Sequence, residues 1–158
     1  MIIPVSIRLI CTSILLAVLT VTAAACSKPS AEPQEGFAIY LTKEDISPAR
    51  MEALSHVNIA EQPVISIEDV ITYDAQTHRI VLTDEAYERI YRMEVPVSGR
   101  SFLVCVDKAP VYWGAFWTPL SSISFDGIVI LKPLESREIK AITLGPGYPS
   151  PSFFSGED

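Results

Sequence analysis

Short apolar runs separated by Pro, Gly, Asp and Ser make up most of the chain. Their length and their content of Val, Ile, Phe, Tyr and Trp predict β-strands. The runs are FAIYL (37–41), VITYD (70–74), RIVLT (79–83), SFLVCVD (101–107), APVYWGAFW (109–117), ISFDGIVIL (123–131) and IKAITL (139–144). The stretch DAQTH and the short link DKA predict hairpins between the strands that they join.

One segment, TDEAYERIYRM, has the pattern of an amphipathic helix. Thr83 is a preferred N-cap residue, and Asp84 and Glu85 lie in the first turn, where the helix dipole favours negative charge. Two pairs, Glu85–Arg89 and Glu88–Arg92, are spaced i,i+4 in the favourable order, which predicts ion pairs on the helix surface.

Weaker helical signals lie in the first half of the chain. Ser47-Pro48 offers an N-cap with Pro at the first helical position, and Met51, Leu54 and Val57 follow as a modest apolar stripe. Another helical turn is predicted after Ser66. The fold class predicted from these elements is α+β, a mostly antiparallel sheet with two or three helices packed on one face.

The first 25 residues have the layout of a signal peptide. A single positive charge, Arg8, precedes an uncharged apolar run from Leu9 to Val21 and then small residues. The sequence TAAAC, which ends at Cys26, resembles the bacterial lipobox, although Ala23 stands where leucine is usual. The resemblance implies lipidation of Cys26 and anchoring to the extracytoplasmic face of the cell membrane, or to the outer membrane if the cell has two membranes. Ordinary cleavage, which leaves Cys26 as a free thiol, is the alternative.

The remaining chain is predicted to contain a tether, one domain and a tail. Residues 26–36 are dominated by Pro, Ser, Glu and Gln and hold too little apolar surface to fold. Residues 37–144 hold the predicted elements, and the Pro/Gly/aromatic tail at 145–158 is expected to be irregular and to pack on the domain. Loss of 1–25 removes one of 12 basic and none of 19 acidic residues, which leaves a net charge of −8. Such an acidic chain is not expected to bind nucleic acid.

Several landmarks between residues 60 and 131 resemble the head subdomain of SecD and SecDF, membrane proteins that assist protein export. These landmarks are Leu82-Thr83 at a helix start, Gly99 before Leu103 and Asp107, Pro119 after the aromatic strand, and Ile123 to Gly127 at a loop end. The resemblance implies a SecD-head-like fold, an extracytoplasmic location, and export or envelope proteins as partners. The aromatic strand YWGAFW departs from the small aliphatic strand usual in that family. The likeness therefore bears on fold and location more than on activity.

Residues with catalytic or metal-binding chemistry form no recognisable motif in the sequence. His56 and His78 have no second His or Cys at a metal-ligand spacing, and no nucleophile elbow, phosphate loop or EF-hand pattern occurs. Cys105 is predicted to be a buried structural thiol, and Asp107 a turn carboxylate that accepts backbone hydrogen bonds. We therefore predict a protein that is not an enzyme, with no catalytic residue, metal or cofactor. A hydrolase is the weakest alternative.

The aromatic run provides the candidate binding surface, formed by Tyr112, Trp113, Phe116 and Trp117. Strand alternation would direct Tyr112 and Phe116 to one face of a sheet and Trp113 and Trp117 to the other. If helices cover one face, the other is covered by the aromatic tail or is left exposed for a partner. The leading expectation is a lipid-anchored binding or accessory module linked to protein export or envelope maintenance. The alternative is a small-molecule- or peptide-binding lipoprotein that uses residues 111–117.

Overall fold

The computed structural model describes residues 35–156, so the predicted signal peptide, Cys26 and most of the tether lie outside the described residues. The strands are β1 (Phe37–Leu41), β2 (Ile65–Ser66), β3 (Val70–Asp74), β4 (Arg79–Leu82), β5 (Arg100–Val106), β6 (Ala109–Trp117), β7 (Phe125–Leu131) and β8 (Ala141–Tyr148). One α-helix, α1 (Asp84–Arg92), lies between β4 and β5. Each of the predicted apolar runs forms a strand.

All eight strands belong to one sheet, in the order β2-β1-β5-β6-β7-β8-β4-β3. Neighbouring strands are antiparallel except β6 and β7, which are parallel, with Trp117 opposite Leu131. Residues 118–124 carry the chain from the end of β6 back to the start of β7, a shorter crossover than parallel strands usually need. The predicted α+β class with a mostly antiparallel sheet is confirmed. Within residues 35–156, no helix has the length and apolar character required to span a bilayer.

Both predicted hairpins are confirmed. Asp107 and Lys108 join β5 to β6 with positive φ angles of 50° and 64°, the backbone that a two-residue turn requires to match the twist of its strands. The Asp107 carboxylate accepts the Gly36 N–H at 2.8 Å, as expected for a turn carboxylate. This bond also fixes the start of β1 beside the β5–β6 hairpin.

The α1 helix begins where its sequence predicts. The Thr83 hydroxyl accepts the Ala86 N–H at 3.3 Å and so caps the first turn. The predicted ion pair between Glu88 and Arg92 is confirmed, at 3.2 Å. The predicted pair between Glu85 and Arg89 is wrong, because the Arg89 guanidinium contacts Asp69 at 2.6 Å. That contact ties α1 to the turn that precedes β3.

The prediction of two or three helices packed on one face is wrong for residues 35–156, where α1 is the one α-helix. Residues Pro48–Arg50 and Leu54–His56 form single 3₁₀ turns, because Met51 and Ala53 between them have extended backbone angles. Further 3₁₀ turns lie at Ile67–Asp69, after Ser66 as predicted, and at Pro151–Phe153.

Both faces of the sheet are covered over part of their area. On the helix face, α1 contributes its buried residues Ala86, Tyr87 and Ile90. They belong to a core cluster with Ile39, Ile65, Ile80, Leu82, Phe102, Val104, Phe116, Ile130 and Ile142. On the opposite face, here called the outer face, two smaller clusters form, one of them below the first two 3₁₀ turns. Their buried members are Ala38, Tyr40, Val57, Leu103 and Cys105 in one cluster, and Ala115, Trp117, Phe125 and Val129 in the other.

Strand β8 continues through Tyr148, so the prediction that the chain becomes irregular after residue 144 is wrong for 145–148. Beyond β8 the chain does pack on the domain. The Tyr148 hydroxyl donates to the Ser121 carbonyl at 2.9 Å, and the Ser155 hydroxyl donates to Asp126 at 2.9 Å.

The strand registers define two ends of the sheet. At one end, Phe37 at the start of β1 pairs with Val106 at the end of β5. We call this the tether end, because the chain that precedes β1 joins the domain there. At the other end, here called the far end, Trp117 at the end of β6 pairs with Leu131 at the end of β7, and β8 begins at Ala141.

Candidate functional site

The four aromatic residues predicted as a binding surface differ widely in exposure. Phe116 and Trp117 are 0% and 2% exposed, Trp113 is half-buried, and Tyr112 is 37% exposed. The predicted division between faces is confirmed, since Phe116 belongs to the helix-face core and Trp117 to an outer-face cluster. Phe116 and Trp117 are therefore packing residues, in line with the alternative in which the strand is covered, and they do not belong to an exposed binding surface.

Trp117 is held by aromatic contacts on the outer face. Its indole stacks on the Phe125 ring at 5.1 Å between centroids, with an angle of 13° between the rings, and lies 5.9 Å from the ring of Tyr148. Gly99 provides the space at its edge, because a Cβ at that position would lie 2.2 Å from Trp117 Cζ3. Tyr148 thus covers part of Trp117, as expected for an aromatic residue of the segment 145–158.

The accessible part of β6 lies at the tether end. Between the pairs Cys105–Pro110 and Val104–Tyr112, Val111 is an extra residue in a β-bulge, and its side chain is 57% exposed. Partial burial raises the pKa of the Tyr112 hydroxyl, and the hydroxyl of Tyr73 nearby acts in the same direction.

A groove of about 590 Å³ lies over β7 and β8, and residues 131–135 and Arg137 line its far-end side. Thr143, Gly145 and Gly147 lie on its floor with Val129, and Pro119 lies on its wall. No side chain covers the floor at Gly145, since a Cβ at this position would meet no atom within 4 Å. We call this cavity the β8 groove. Its volume is in the range of small-ligand sites.

The β8 groove combines apolar surface with unpaired charge. Leu131 and Leu134 at its wall are 46% and 50% exposed. Lys132 and Arg137 also line it, and neither side chain forms an ion pair within the part of the chain that the structure describes. The groove thus has two cations and one carboxylate, Glu135, next to an apolar floor. This combination is suited to a ligand with an apolar body and an anionic group. The groove was not predicted from the sequence, because residues 145–148 were expected to be part of an irregular tail.

The described cysteine is a packing residue, as predicted. Cys105 is fully buried on the outer face, and burial raises the pKa of its thiol, with the Glu35 carboxylate adding to the effect. The nearby Tyr40 hydroxyl donates a hydrogen bond to Glu35, and burial and this bond both raise the pKa of Tyr40. Neither group is suited to act as a nucleophile near neutral pH, because the thiolate and the phenolate are both disfavoured.

The two histidines lie in different parts of the fold. His56 is exposed at the end of a 3₁₀ turn, while His78 lies in the β3–β4 hairpin, where its Nδ1 is 2.9 Å from the Tyr73 hydroxyl. Asp69 closes the turn after Ser66 by accepting the Ser66 N–H at 2.8 Å. Among residues 35–156, no group of three or more His, Cys, Asp or Glu is arranged to hold a metal ion.

Comparisons with known proteins give no match: no protein-family profile, curated protein or solved structure is significantly similar to this chain. A functional assignment therefore depends on the residues and geometry of the chain itself.

Proposed function

We propose that this chain is a lipid-anchored, extracytoplasmic binding or accessory module that is not an enzyme. The observation that carries the proposal is the small-residue triplet ending at Ala25, followed by Cys26, after an uncharged apolar run from Leu9 to Val21. The strand β1 begins eleven positions after Cys26, at Phe37. That order of signal, acylatable cysteine, short spacer and globular domain is the layout of a tethered lipoprotein.

The arrangement of polar side chains favours binding over catalysis. A nucleophile needs a base within hydrogen-bond reach, and the buried Cys105 thiol instead has the Leu103 carbonyl 4.0 Å from its sulfur. In the β8 groove, charged side chains lie around an apolar floor. This arrangement suits recognition of a partner or ligand.

The anchor is tested by replacing Cys26 with alanine in cells and separating membranes from soluble material. We expect wild-type protein in the membrane fraction and labelled by a radioactive or clickable fatty acid, and the Cys26→Ala variant to lose the label. Cys105→Ala is the matched control, because that thiol is buried and should leave the label unchanged. Full fatty-acid labelling of the Cys26→Ala variant would contradict the anchor assignment.

A more specific candidate function is binding of a short peptide or small molecule with an apolar body and an anionic group in the β8 groove. The uncovered floor at Gly145 favours it, as do Lys132 and Arg137, which form no ion pair with any residue of 35–156. The earlier candidate surface, residues 111–117, is less suitable because two of its four aromatic side chains are buried.

The groove is tested by filling it. Gly145→Phe places a ring over the floor, whereas Gly145→Ala adds one methyl group to open space. With a photo-crosslinking amino acid at Leu134 in intact cells, we expect a crosslinked partner in the parent and Gly145→Ala backgrounds and its loss with Gly145→Phe. Equal crosslinking in all three backgrounds would refute binding in the groove.

The partner class proposed is a protein of export or of the cell envelope. Support comes from the sequence resemblance to the SecD head, together with the predicted extracytoplasmic location. In the same crosslinking experiment, mass spectrometry identifies the captured protein. Capture of cytoplasmic proteins alone would contradict the proposed class, and capture of translocase components would support the SecD-head resemblance.

A further inference from the structure

Exposed aliphatic side chains occur at both ends of the sheet, and at the tether end they lie next to an exposed aromatic ring. Val106 is 48% exposed at the last position of β5, and Val111 and Tyr112 follow on β6, 57% and 37% exposed. Phe153 is 46% exposed in the turn that packs against β8 close to Asp126. Tyr73, Tyr112 and Phe153 are the exposed aromatic side chains among residues 35–156.

The composition of this end suits the boundary between lipid and water. Tyrosine has an apolar ring and a polar hydroxyl, and aromatic residues of this kind are enriched at membrane interfaces. The charges in the β5–β6 hairpin are mixed, with one acidic residue, Asp107, and one basic residue, Lys108. Apolar contact, and not attraction to anionic lipid, is therefore the interaction that this end can provide.

The length of the spacer limits which end of the domain can reach the membrane. Gly36 is fixed at the tether end by two hydrogen bonds with Asp107. The Gly36 N–H donates to the Asp107 carboxylate at 2.8 Å, and the Asp107 N–H donates to the Gly36 carbonyl at 2.9 Å. Gly36 lies ten positions after Cys26 in the sequence, so the spacer can span at most about 35 Å. A domain of this length has a diameter of about 35 Å. The tether end can therefore lie against the membrane with a slack spacer, whereas the far end could do so only with the spacer fully extended.

We propose that the tether end is a membrane-docking surface, formed by Val106, Val111 and Tyr112, which contacts the bilayer into which the acyl chains of Cys26 insert. This inference rests on the proposed lipid anchor. It places the β5–β6 hairpin in the headgroup region and directs the far-end mouth of the β8 groove away from the membrane. The domain then has a fixed orientation, instead of tumbling on its spacer.

The test uses full-length lipidated protein in phosphatidylethanolamine–phosphatidylcholine vesicles that contain a nitroxide-labelled lipid. A fluorophore is attached through Lys108→Cys at the tether end, and in a second sample through Glu135→Cys at the far end. Both residues are exposed and lie in loops, and Cys105 is buried and inaccessible to the reagent. We expect blue-shifted emission and several-fold stronger quenching at position 108 than at position 135. Equal quenching at the two positions would overturn the docking surface.

Two matched substitutions distinguish apolar docking from quenching that reflects only the short distance between position 108 and the membrane. Val106→Ser and Leu134→Ser each remove an aliphatic side chain of similar exposure, 48% and 50%. We expect Val106→Ser to reduce the quenching at position 108, and Leu134→Ser to leave it unchanged. Unchanged quenching in both variants would overturn the docking surface.

Flotation of the same vesicles distinguishes failure of this inference from failure of the anchor. Protein that floats and is quenched mainly at position 108 supports both. Protein that floats but is quenched equally at both positions retains the anchor and overturns the docking surface. Protein that does not float refutes the anchor and the docking surface together.

Discussion

Replacing Gly99 with alanine tests whether the aromatic strand is packing material. Gly99 has a φ of +77°, and it lies against the edge of the Trp117 indole. An added Cβ would be 2.2 Å from Trp117 Cζ3 and 3.2 Å from Pro48 Cγ. Two independent penalties follow, one from the backbone angle and one from the clash.

The size of the effect follows from these distances. Carbon atoms in contact are about 3.5–4.0 Å apart, so the indole would have to move by more than about 1 Å. Phe125 stacks on that indole at 5.1 Å and resists the movement. Overpacking of this kind costs about 1–3 kcal/mol, and the left-handed backbone adds about 1 kcal/mol. We expect Gly99→Ala to lower the free energy of unfolding by about 2–4 kcal/mol, which corresponds to a loss of about 8–16 °C in Tm for a domain of this length.

The measurement is thermal unfolding of the mature protein in a mild detergent, followed by circular dichroism and tryptophan fluorescence. Gly145→Ala is the matched control, since Gly145 has no positive φ and a Cβ there meets nothing within 4 Å. We expect the control to have a Tm equal to or slightly above the wild-type value. If Gly99→Ala and Gly145→Ala had the same Tm, the tight packing of Trp117 against Gly99 would be refuted.

Three further predictions concern the helix cap, an ionised carboxylate and the buried thiol. Thr83→Ala removes the hydroxyl that accepts the Ala86 N–H and should cost about 1 kcal/mol in chemical denaturation, whereas Thr83→Ser should keep most of that stability; equal losses would contradict the capping role. Burial acts to raise the pKa of Asp69, but hydrogen bonds, including one from Arg89, hold that pKa below its usual value. Asp69 should therefore stabilise the fold above about pH 4, and this contribution should disappear as the pH falls through the lowered pKa; a stability difference between wild type and Asp69→Asn that did not narrow at low pH would refute it. Cys105 should react with a maleimide only after denaturation, because it is fully buried; rapid labelling of native protein would show otherwise.

Much of the fold could be predicted because its signals are local. Thr83 followed by two acidic residues marks the start of α1, and the pair Asp107-Lys108 between two apolar runs marks a hairpin. The helix count was wrong because Pro48 and a few spaced apolar residues are also compatible with isolated 3₁₀ turns packed on a sheet. The parallel pairing of β6 and β7 could not be predicted, since a connection as short as 118–124 normally joins antiparallel strands.

The candidate site was harder to predict because it depends on contacts between distant parts of the chain. Alternation predicted that Phe116 and Trp117 face opposite sides of the sheet, but it cannot show what covers each side. Phe125 and Tyr148 cover Trp117, and both lie outside the aromatic run. The β8 groove forms where Gly145 leaves a strand face uncovered, and a glycine flanked by Pro reads in the sequence as an irregular segment.

The lipid anchor is tested most directly by the mass of the N-terminal peptide of the mature protein isolated from membranes. We predict that this peptide begins at Cys26 and carries a diacylglyceryl group on its sulfur. An N-terminal peptide that begins at Cys26 with an unmodified thiol, or one that retains residues 1–25, would contradict the account.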